Sequence, residues 1–172
     1  PWIRKATLRR VTALNSPSLW GIGADWVDEL ILDGCRARGN WLDGVKLRRR
    51  VTNWQMLGGD CSQNGQGWLA NAATYAGNGL DIFAGGENGR VVGTSFNDNI
   101  GDGVVCKNGD VGEGISGYDS GRYGLTRKLD FIGIEASRNQ SGSGLALTQN
   151  AGNDSYAVAH VTVTGGLFED NA

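Results

Sequence analysis

Apolar and polar positions alternate along the chain in short runs, and five of these runs form similar segments. Each segment starts apolar and ends at a polar turn residue, with a small or apolar side chain three positions before that end. This pattern predicts short β-strands that finish in tight turns. The segments are LILDGCRAR (30–38), MLGGDCSQN (56–64), VVGTSFNDN (91–99), FIGIEASRN (131–139) and VTGGLFEDN (163–171). They end at Arg38, Asn64, Asn99, Asn139 and Asn171, and the side chains three positions earlier are Cys35, Cys61, Phe96, Ala136 and Phe168.

A second unit follows each turn and consists of a glycine and an apolar run. The repeating cycle is therefore a strand, an asparagine turn, a glycine, a second strand and a return of variable length. The predicted distance from one cycle to the next is about 26, about 35, about 40 and about 32 residues along the chain. The second units are Gly44-Val45, Gly67-Trp68-Leu69, Gly103-Val104-Val105 and Gly144-Leu145-Ala146-Leu147.

The recurrence of asparagine and glycine has a physical explanation. One-residue corners between strands need a positive φ, which these two residue types tolerate. If each cycle is one turn of a solenoid, equivalent residues stack about 4.8 Å apart. The corner asparagines then form a ladder of side-chain amides, and the apolar positions form a buried column. Cys35 and Cys61 are predicted to be neighbours in that column, as packed thiols or, alternatively, as a disulfide.

The variable spacing excludes regular arrays such as leucine-rich and ankyrin repeats. Helical periodicity is weak; it is confined to residues 25–30, which run directly into a strand. A β-sandwich, which has steadier spacing and no asparagine register, remains the structural alternative.

Composition narrows the class further. The chain has 29 glycines but only 2 prolines in 172 residues, which excludes collagen. Apolar residues make up 40 % of the chain, which excludes a disordered protein. Glycine is unfavourable inside helices, so a helical bundle is excluded as well. Three cysteines are too few for a disulfide scaffold.

Charge is unevenly distributed around a net value of −2, which gives no global attraction to nucleic acid. Residues 1–50 hold ten Lys and Arg against five Asp and Glu, whereas residues 51–172 hold six against thirteen. The basic segment, residues 1–50, forms either a solvated face or a docking surface for an acidic polymer or an adjoining domain. No apolar run is long enough for a membrane span.

The repeat resembles the right-handed parallel β-helix of the pectin-lyase-like superfamily, in particular bacteriophage tailspikes. Three stretches carry the resemblance, and together with the cycles between them they span most of residues 27–172; residues 1–26 are taken as a flanking segment. The stretches are ELILDGCRARGNWLDGVKL (29–47), FIGIEASRNQSGSGLALTQN (131–150) and VTVTGGLFEDN (161–171).

The resemblance implies an all-β fold of about four to five coils, expected to be part of a longer helix. It implies a homotrimer in the full-length protein, located in a virion tail or outside the cell, without a cofactor. The expected function is recognition, and in one version cleavage, of a bacterial surface polysaccharide. The alternatives are a non-catalytic structural or binding shaft, and a secreted polysaccharide lyase or epimerase.

Paired carboxylates are the groups that would cleave a glycosidic bond, as in a glycoside hydrolase or polysaccharide lyase. Separations of about 5 Å and of about 6.5 to 9.5 Å correspond to retaining and inverting hydrolysis. Equivalent carboxylates with one cycle between them lie about 10 Å apart. Alternatively, acidic residues beside turns only satisfy backbone donors. The candidates are Asp43 and Asp102, with Gln66 between them, and Asp60 and Glu135, with Ser95 between them.

Aromatic rings with polar neighbours are the predicted sugar-binding residues, because sugars present apolar faces. Trp54 and Trp68 alternate with apolar neighbours and could instead be core or half-buried residues. The only histidine is His160, so a histidine-based metal site is excluded, while calcium on surface carboxylates stays open. The substrate-binding candidates are Trp41, Trp68, Tyr118, Asp119, Arg122 and Tyr123.

Overall fold

The computed structural model describes residues 3–70, 77–83, 85–107, 126–148 and 158–172. These residues form an all-β fold with one short helix. The elements in chain order are β1 (Ala6–Arg9), β2 (Thr12–Leu14), β3 (Ile22–Val27), β4 (Leu30–Asp33), β5 (Arg36–Arg38), β6 (Val45–Thr52), β7 (Trp54–Leu57), α1 (Gln66–Leu69), β8 (Leu80–Phe83), β9 (Gly86–Val92), β10 (Val104–Lys107), β11 (Arg127–Glu135), β12 (Leu145–Thr148) and β13 (Ala159–Leu167).

The strands lie in three rows, and every pairing in them is parallel. The first row is β1-β4-β7-β9-β11-β13, and the second is β3-β6-β8-β10-β12. Because β6 also pairs with β9, both rows belong to one 11-stranded sheet. The third row starts with β2 and β5 and continues through the bridges Arg36–Asp60, Asp60–Ser95 and Ser95–Glu135. Strands that begin before residue 27 therefore lie in the same rows as the later cycles.

The register confirms three of the predicted cycle spacings and corrects the first. The later spacings are 35, 40 and 32 residues, as the pairs Gln55–Arg90, Gly89–Leu129 and Leu129–Val161 show. Leu30 pairs with Trp54, so the first spacing is 24 residues and not the predicted 26. Aligning the two cysteines with each other caused this error.

The corrected register changes the core column in its first cycle. Cys61, Phe96 and Ala136 are fully buried in that column, as predicted. Ala37, rather than Cys35, is the equivalent of Cys61, because Arg36 bridges to Asp60. Phe168 continues the column at the last strand and is 41 % exposed. The apolar column therefore runs through all five predicted cycles.

The three cysteines are free and buried, so the prediction of packed thiols is confirmed. Cys35 and Cys61 are not equivalent neighbours of one column, and no disulfide joins them. Burial raises the pKa of the Cys61 thiol, which keeps it protonated and unreactive.

The asparagine ladder is present, and its first member is Asn40 instead of the predicted Arg38. In each step one Nδ2 donates to the Oδ1 of the next cycle, and the same Oδ1 accepts the backbone N–H of the preceding asparagine. The ladder satisfies buried backbone donors that no strand partner reaches. Its Nδ2–Oδ1 distances are 2.9, 3.0, 3.1 and 2.8 Å for Asn40–Asn64, Asn64–Asn99, Asn99–Asn139 and Asn139–Asn171.

The positive φ lies one residue before each ladder asparagine, which corrects the expectation for the asparagines themselves. This corner column contains Asn15, Gly39, Gln63, Asp98, Arg138 and Asp170, with φ between 52° and 65°. The ladder asparagines are selected for their amides, while the corner preceding them admits several residue types.

Glycine is required where the second strands begin, because the backbones of adjacent cycles approach closely there. A Cβ on Gly79 would lie 2.6 Å from the Gly103 oxygen and 2.7 Å from the Cys61 oxygen. Gly44 and Gly103 meet the same obstruction from the Gly79 and Gly144 oxygens, whereas a Cβ on Gly144 would strike the Phe168 ring and the Ala136 oxygen. Close approach therefore accounts for part of the glycine excess.

The predicted second-unit strands of three cycles are confirmed as β6, β10 and β12, but Gly67-Trp68-Leu69 is not a strand. These residues belong to α1, and the strand of this cycle is β8, which follows Gly79. Asn78 therefore replaces Gln66 as the residue equivalent to Asp43 and Asp102. A single helical turn such as α1 is far too short to cross a bilayer, and the described part of the chain contains no helix that could.

Candidate functional site

Asp43 and Asp102 lie at equivalent corners, where they form a second ladder. The backbone N–H and the side-chain amide of Asn78 both donate to Asp43 Oδ1, each at 2.9 Å. Asn78 Oδ1 accepts the backbone N–H of Asp102 at 2.9 Å, and Asp102 Oδ1 accepts that of Ser143 at 2.7 Å. Both carboxylates thus accept a backbone N–H of the following cycle. This is the alternative role predicted from the sequence for acidic residues beside turns.

A buried group of charged side chains adjoins Asp43. Lys46 Nζ lies 3.5 Å from Asp43 Oδ2 and 2.5 Å from Asp81 Oδ2. Lys107 Nζ lies 3.4 Å from the same Asp81 oxygen. Since one ammonium contacts both carboxylates, Asp43 and Asp81 form a close pair with Lys46 between them. The two carboxylates are fully buried, so a polymer cannot reach them.

Asp81, Lys46 and Lys107 were missed in the sequence. Lys46 and Asp81 are paired in register on β6 and β8, on the sheet face opposite the apolar core. The available signal was a charged residue flanked by apolar ones, as in Leu80-Asp81-Ile82. In a parallel strand this pattern marks a charge that needs a partner.

Burial raises the pKa of Asp43 to about 6, and the Asp81 charge adds to the rise. Lys46 and the Asn78 hydrogen bond oppose it. Burial likewise raises the pKa of Asp102, while the hydrogen bond from Ser143 lowers it. Asp43 therefore keeps its proton up to a higher pH than an exposed aspartate does.

We expect Asp43 to make the protein less stable as pH rises from about 4 to 6. In that window the folded chain binds the Asp43 proton and the unfolded chain does not, so deprotonation favours unfolding. Urea unfolding at pH 4, 5 and 6 would measure this slope. Asp43→Asn should flatten it, whereas Asp130→Asn, at an exposed position, should not. An unchanged slope in Asp43→Asn would contradict the assignment.

Asp60 and Glu135 are partly exposed on the outer face of the third row, with Ser95 between them as predicted. Arg38 Nη1 lies 3.2 Å from Asp60 Oδ2. Ser95 Oγ donates to Glu135 Oε2 at 3.3 Å. Their backbones are two strand spacings, about 10 Å, apart. The Asp60 carboxylate is thus paired with a guanidinium, and the Glu135 carboxylate accepts a hydrogen bond from a hydroxyl.

The predicted aromatic residues separate into three environments. Trp54 is 1 % exposed and belongs to the core, whereas Trp68 is 45 % exposed and lies outside it. Trp41 is half-buried against Gly67, where a Cβ would lie 2.5 Å from its Nε1. Tyr118, Asp119, Arg122 and Tyr123 lie outside the described residues.

A cavity of about 500 Å³ lies between α1 and the corner column, and we call it the amide groove. Leu69, which is 56 % exposed, supplies apolar surface, and Trp68 precedes it in α1. Amides present both donors and acceptors, which match sugar hydroxyls. The groove is lined by Asn15, Gly39, Gln63, Gln66, Leu69, Asp98, Ile100 and Gln140.

The amides of the groove are held in part by local contacts. Gln66 Nε2 donates to the Gln63 carbonyl at 2.8 Å, and Gln63 Oε1 accepts from Arg38 at 2.9 Å. Gln63 Nε2 has no partner within the described ranges of the chain, so it can donate to a ligand. Sequence reasoning missed this groove because its residues come from different cycles.

Among the described residues, no group of three or more His, Cys, Asp or Glu side chains is placed to hold a metal ion. No family model matches the chain, and comparisons with curated proteins and with solved structures find no match.

Proposed function

We propose that the chain is a segment of a right-handed parallel β-helix, similar to a bacteriophage tailspike, that binds a bacterial surface polysaccharide without cleaving it. The amide groove carries the proposal, because it combines several side-chain amides with exposed Leu69. The exposed Trp68 is not part of the lining and lies next to Leu69 in α1. The proposal includes a trimeric full-length protein in a virion tail or outside the cell.

The helical part of the proposal rests on the repeated rows. Five successive steps along the first row are parallel and return to the same register, which is how a solenoid stacks its turns. The asparagine ladder follows the steps of this row, and the ladder of Asp43, Asn78 and Asp102 follows the steps of the second row.

The burial, the ion pairs and the separation of the carboxylates favour binding over cleavage. The closest pair, Asp43 and Asp81, is buried and bridged by Lys46. Asp60 is paired with Arg38 and lies two strand spacings from Glu135. Neither arrangement offers an acid and a base on opposite sides of an accessible glycosidic bond.

We expect Trp68→Ala to weaken polysaccharide binding about two- to thirteenfold, since a stacked aromatic ring contributes roughly 0.5 to 1.5 kcal/mol. Calorimetry against a panel of bacterial capsules and lipopolysaccharide glycans would measure this. Leu69→Ala should weaken binding of the same glycan. Leu147→Ala is its matched control, because Leu147 is 52 % exposed on β12.

Equal effects of Leu69→Ala and Leu147→Ala would contradict the groove assignment. No binding to any glycan of the panel would contradict the function. A fall in polymer size during incubation with the protein would replace binding by cleavage.

A further inference from the structure

A second cavity, of about 390 Å³, lies at the corner where the first-row strands begin. Residues of three successive cycles line it in two parallel columns, and we call it the Arg90 cleft. Gln55, Arg90 and Asp130 are consecutive partners across β7, β9 and β11. The other column consists of the positive-φ residues Asn53, Asn88 and Lys128.

The first column consists of outward side chains that are not used by the fold. Gln55, Arg90 and Asp130 are exposed. None of the three side chains makes a hydrogen bond or ion pair with another described residue. Arg90 and Asp130 are neighbours in register but form no ion pair. The guanidinium and the carboxylate are therefore both available to a ligand.

The side chains of the second column are held by hydrogen bonds and an ion pair. Asn88 Nδ2 donates to Asn53 Oδ1 at 3.1 Å, and Asn53 Nδ2 donates to the Asp28 carbonyl at 3.3 Å. Lys128 Nζ lies 3.8 Å from Glu87 Oε1, which Arg127 already binds at 2.9 Å. The Lys128 charge is thus only loosely neutralised.

The floor of the cleft is formed by Gly89 and Trp54. A Cβ at Gly89 would overlap the Trp54 ring, so only glycine lets the ring pack there. Trp54 is 1 % exposed and fixes the backbone beneath the two columns. The side chains of the cleft therefore stand on a rigid base.

Charge indicates which ligand fits. The cleft has two basic side chains, Arg90 and Lys128, and one carboxylate, Asp130, although residues 51–172 as a whole hold thirteen acidic and six basic residues. A guanidinium pairs with a carboxylate through two parallel hydrogen bonds. Amides and a carboxylate beside it accept hydroxyl donors. A ligand that carries one carboxylate among several hydroxyls satisfies this set.

We propose that the Arg90 cleft binds a hexuronate unit of an acidic polysaccharide, with its carboxylate on Arg90 and its hydroxyls on Asp130 and Gln55. The proposal rests on the proposed glycan-binding function and adds a second site, on a row of strands other than that of the amide groove. Successive units of the polymer would lie across β7, β9 and β11, along the direction in which the columns repeat.

The test is calorimetry of the full chain with glucuronate, galacturonate and mannuronate oligosaccharides and with their carboxyl-reduced counterparts. We expect Arg90→Gln to weaken binding of an acidic oligosaccharide about tenfold or more, and to leave its reduced counterpart unchanged. Added sodium chloride should weaken binding of the acidic oligosaccharide only. Arg36→Gln is the matched control, because Arg36 is exposed and its side chain has no partner among the described residues.

Each other result overturns the proposal in a recognisable way. Equal losses in Arg90→Gln and Arg36→Gln would mean general electrostatic attraction. Binding of inorganic phosphate that depends on Arg90 and displaces the oligosaccharide would mean a simple anion site. Failure of all acidic oligosaccharides, with a neutral glycan still bound in a Trp68-dependent manner, would remove this cleft and leave the proposed function intact. Absence of any glycan binding would remove both.

Discussion

Phe96→Ala is expected to lower the free energy of unfolding by about 3 to 5 kcal/mol. The Phe96 ring is fully buried in the core column, between Cys61 and Ala136 of the adjacent cycles. Both neighbours are small, so they cannot fill the cavity that truncation leaves. Urea unfolding followed by circular dichroism measures the change.

Phe168→Ala is the matched control, because Phe168 occupies the same column and is 41 % exposed. Its truncation removes less buried surface, and its effect should be less than half as large. Equal effects of the two substitutions, or a near-neutral Phe96→Ala, would contradict the register.

Asn99→Ala is expected to cost about 2 to 5 kcal/mol, because it leaves buried polar groups without partners. Asn99 Oδ1 accepts from both the backbone N–H and Nδ2 of Asn64, each at 3.0 Å. Asn99 Nδ2 donates to Asn139 Oδ1 at 3.1 Å. The substitution removes all three hydrogen bonds in a place that water does not reach.

Gln140→Ala provides the comparison for Asn99→Ala. Gln140 is an exposed amide directly after the ladder residue Asn139. A surface substitution of this kind changes stability by no more than about 0.5 kcal/mol. If the two variants unfold at the same urea concentration, the ladder does not stabilise the fold.

The repeat was predictable from the sequence because single positions carry it. Asn64, Asn99, Asn139 and Asn171 share one role, and their spacing alone defined three of the cycle lengths. The first cycle was misread because Cys35 lies two residues before the position equivalent to Cys61. The ladder at Asn40 would have given the correct register.

The second cycle was misread because local sequence cannot distinguish two glycines that precede apolar residues. Gly67 precedes Trp68 and Leu69 in α1, whereas Gly79 precedes Leu80 in the strand row. They differ in the surface against which each glycine packs. A Cβ on Gly79 would strike the backbone of Gly103 in the next cycle and of Cys61 in its own cycle, whereas a Cβ on Gly67 would strike the Trp41 indole.

The candidate site was predictable only where one residue carries the information. The equivalence of Asp43 and Asp102 was visible, but their role in a ladder depends on Asn78. The amide groove and the Arg90 cleft each combine side chains that are far apart in sequence, such as Gln63 with Gln140 and Gln55 with Asp130. Such combinations depend on the length of each return, which sequence periodicity does not define.

The distance between spin labels at Arg9 and Thr164 tests the central claim, that successive cycles stack in one parallel row, most directly. Five register steps separate these exposed positions, or about 24 Å between backbones, although they lie near opposite ends of the chain. The native cysteines are buried and would not take up the label.

A second pair at Asp33 and Thr164 is four steps apart, or about 19 Å. The account predicts that pulsed electron paramagnetic resonance finds the second distance shorter than the first by one strand spacing, about 5 Å. Equal distances, or an Arg9–Thr164 distance far from about 24 Å, would contradict the stacked row.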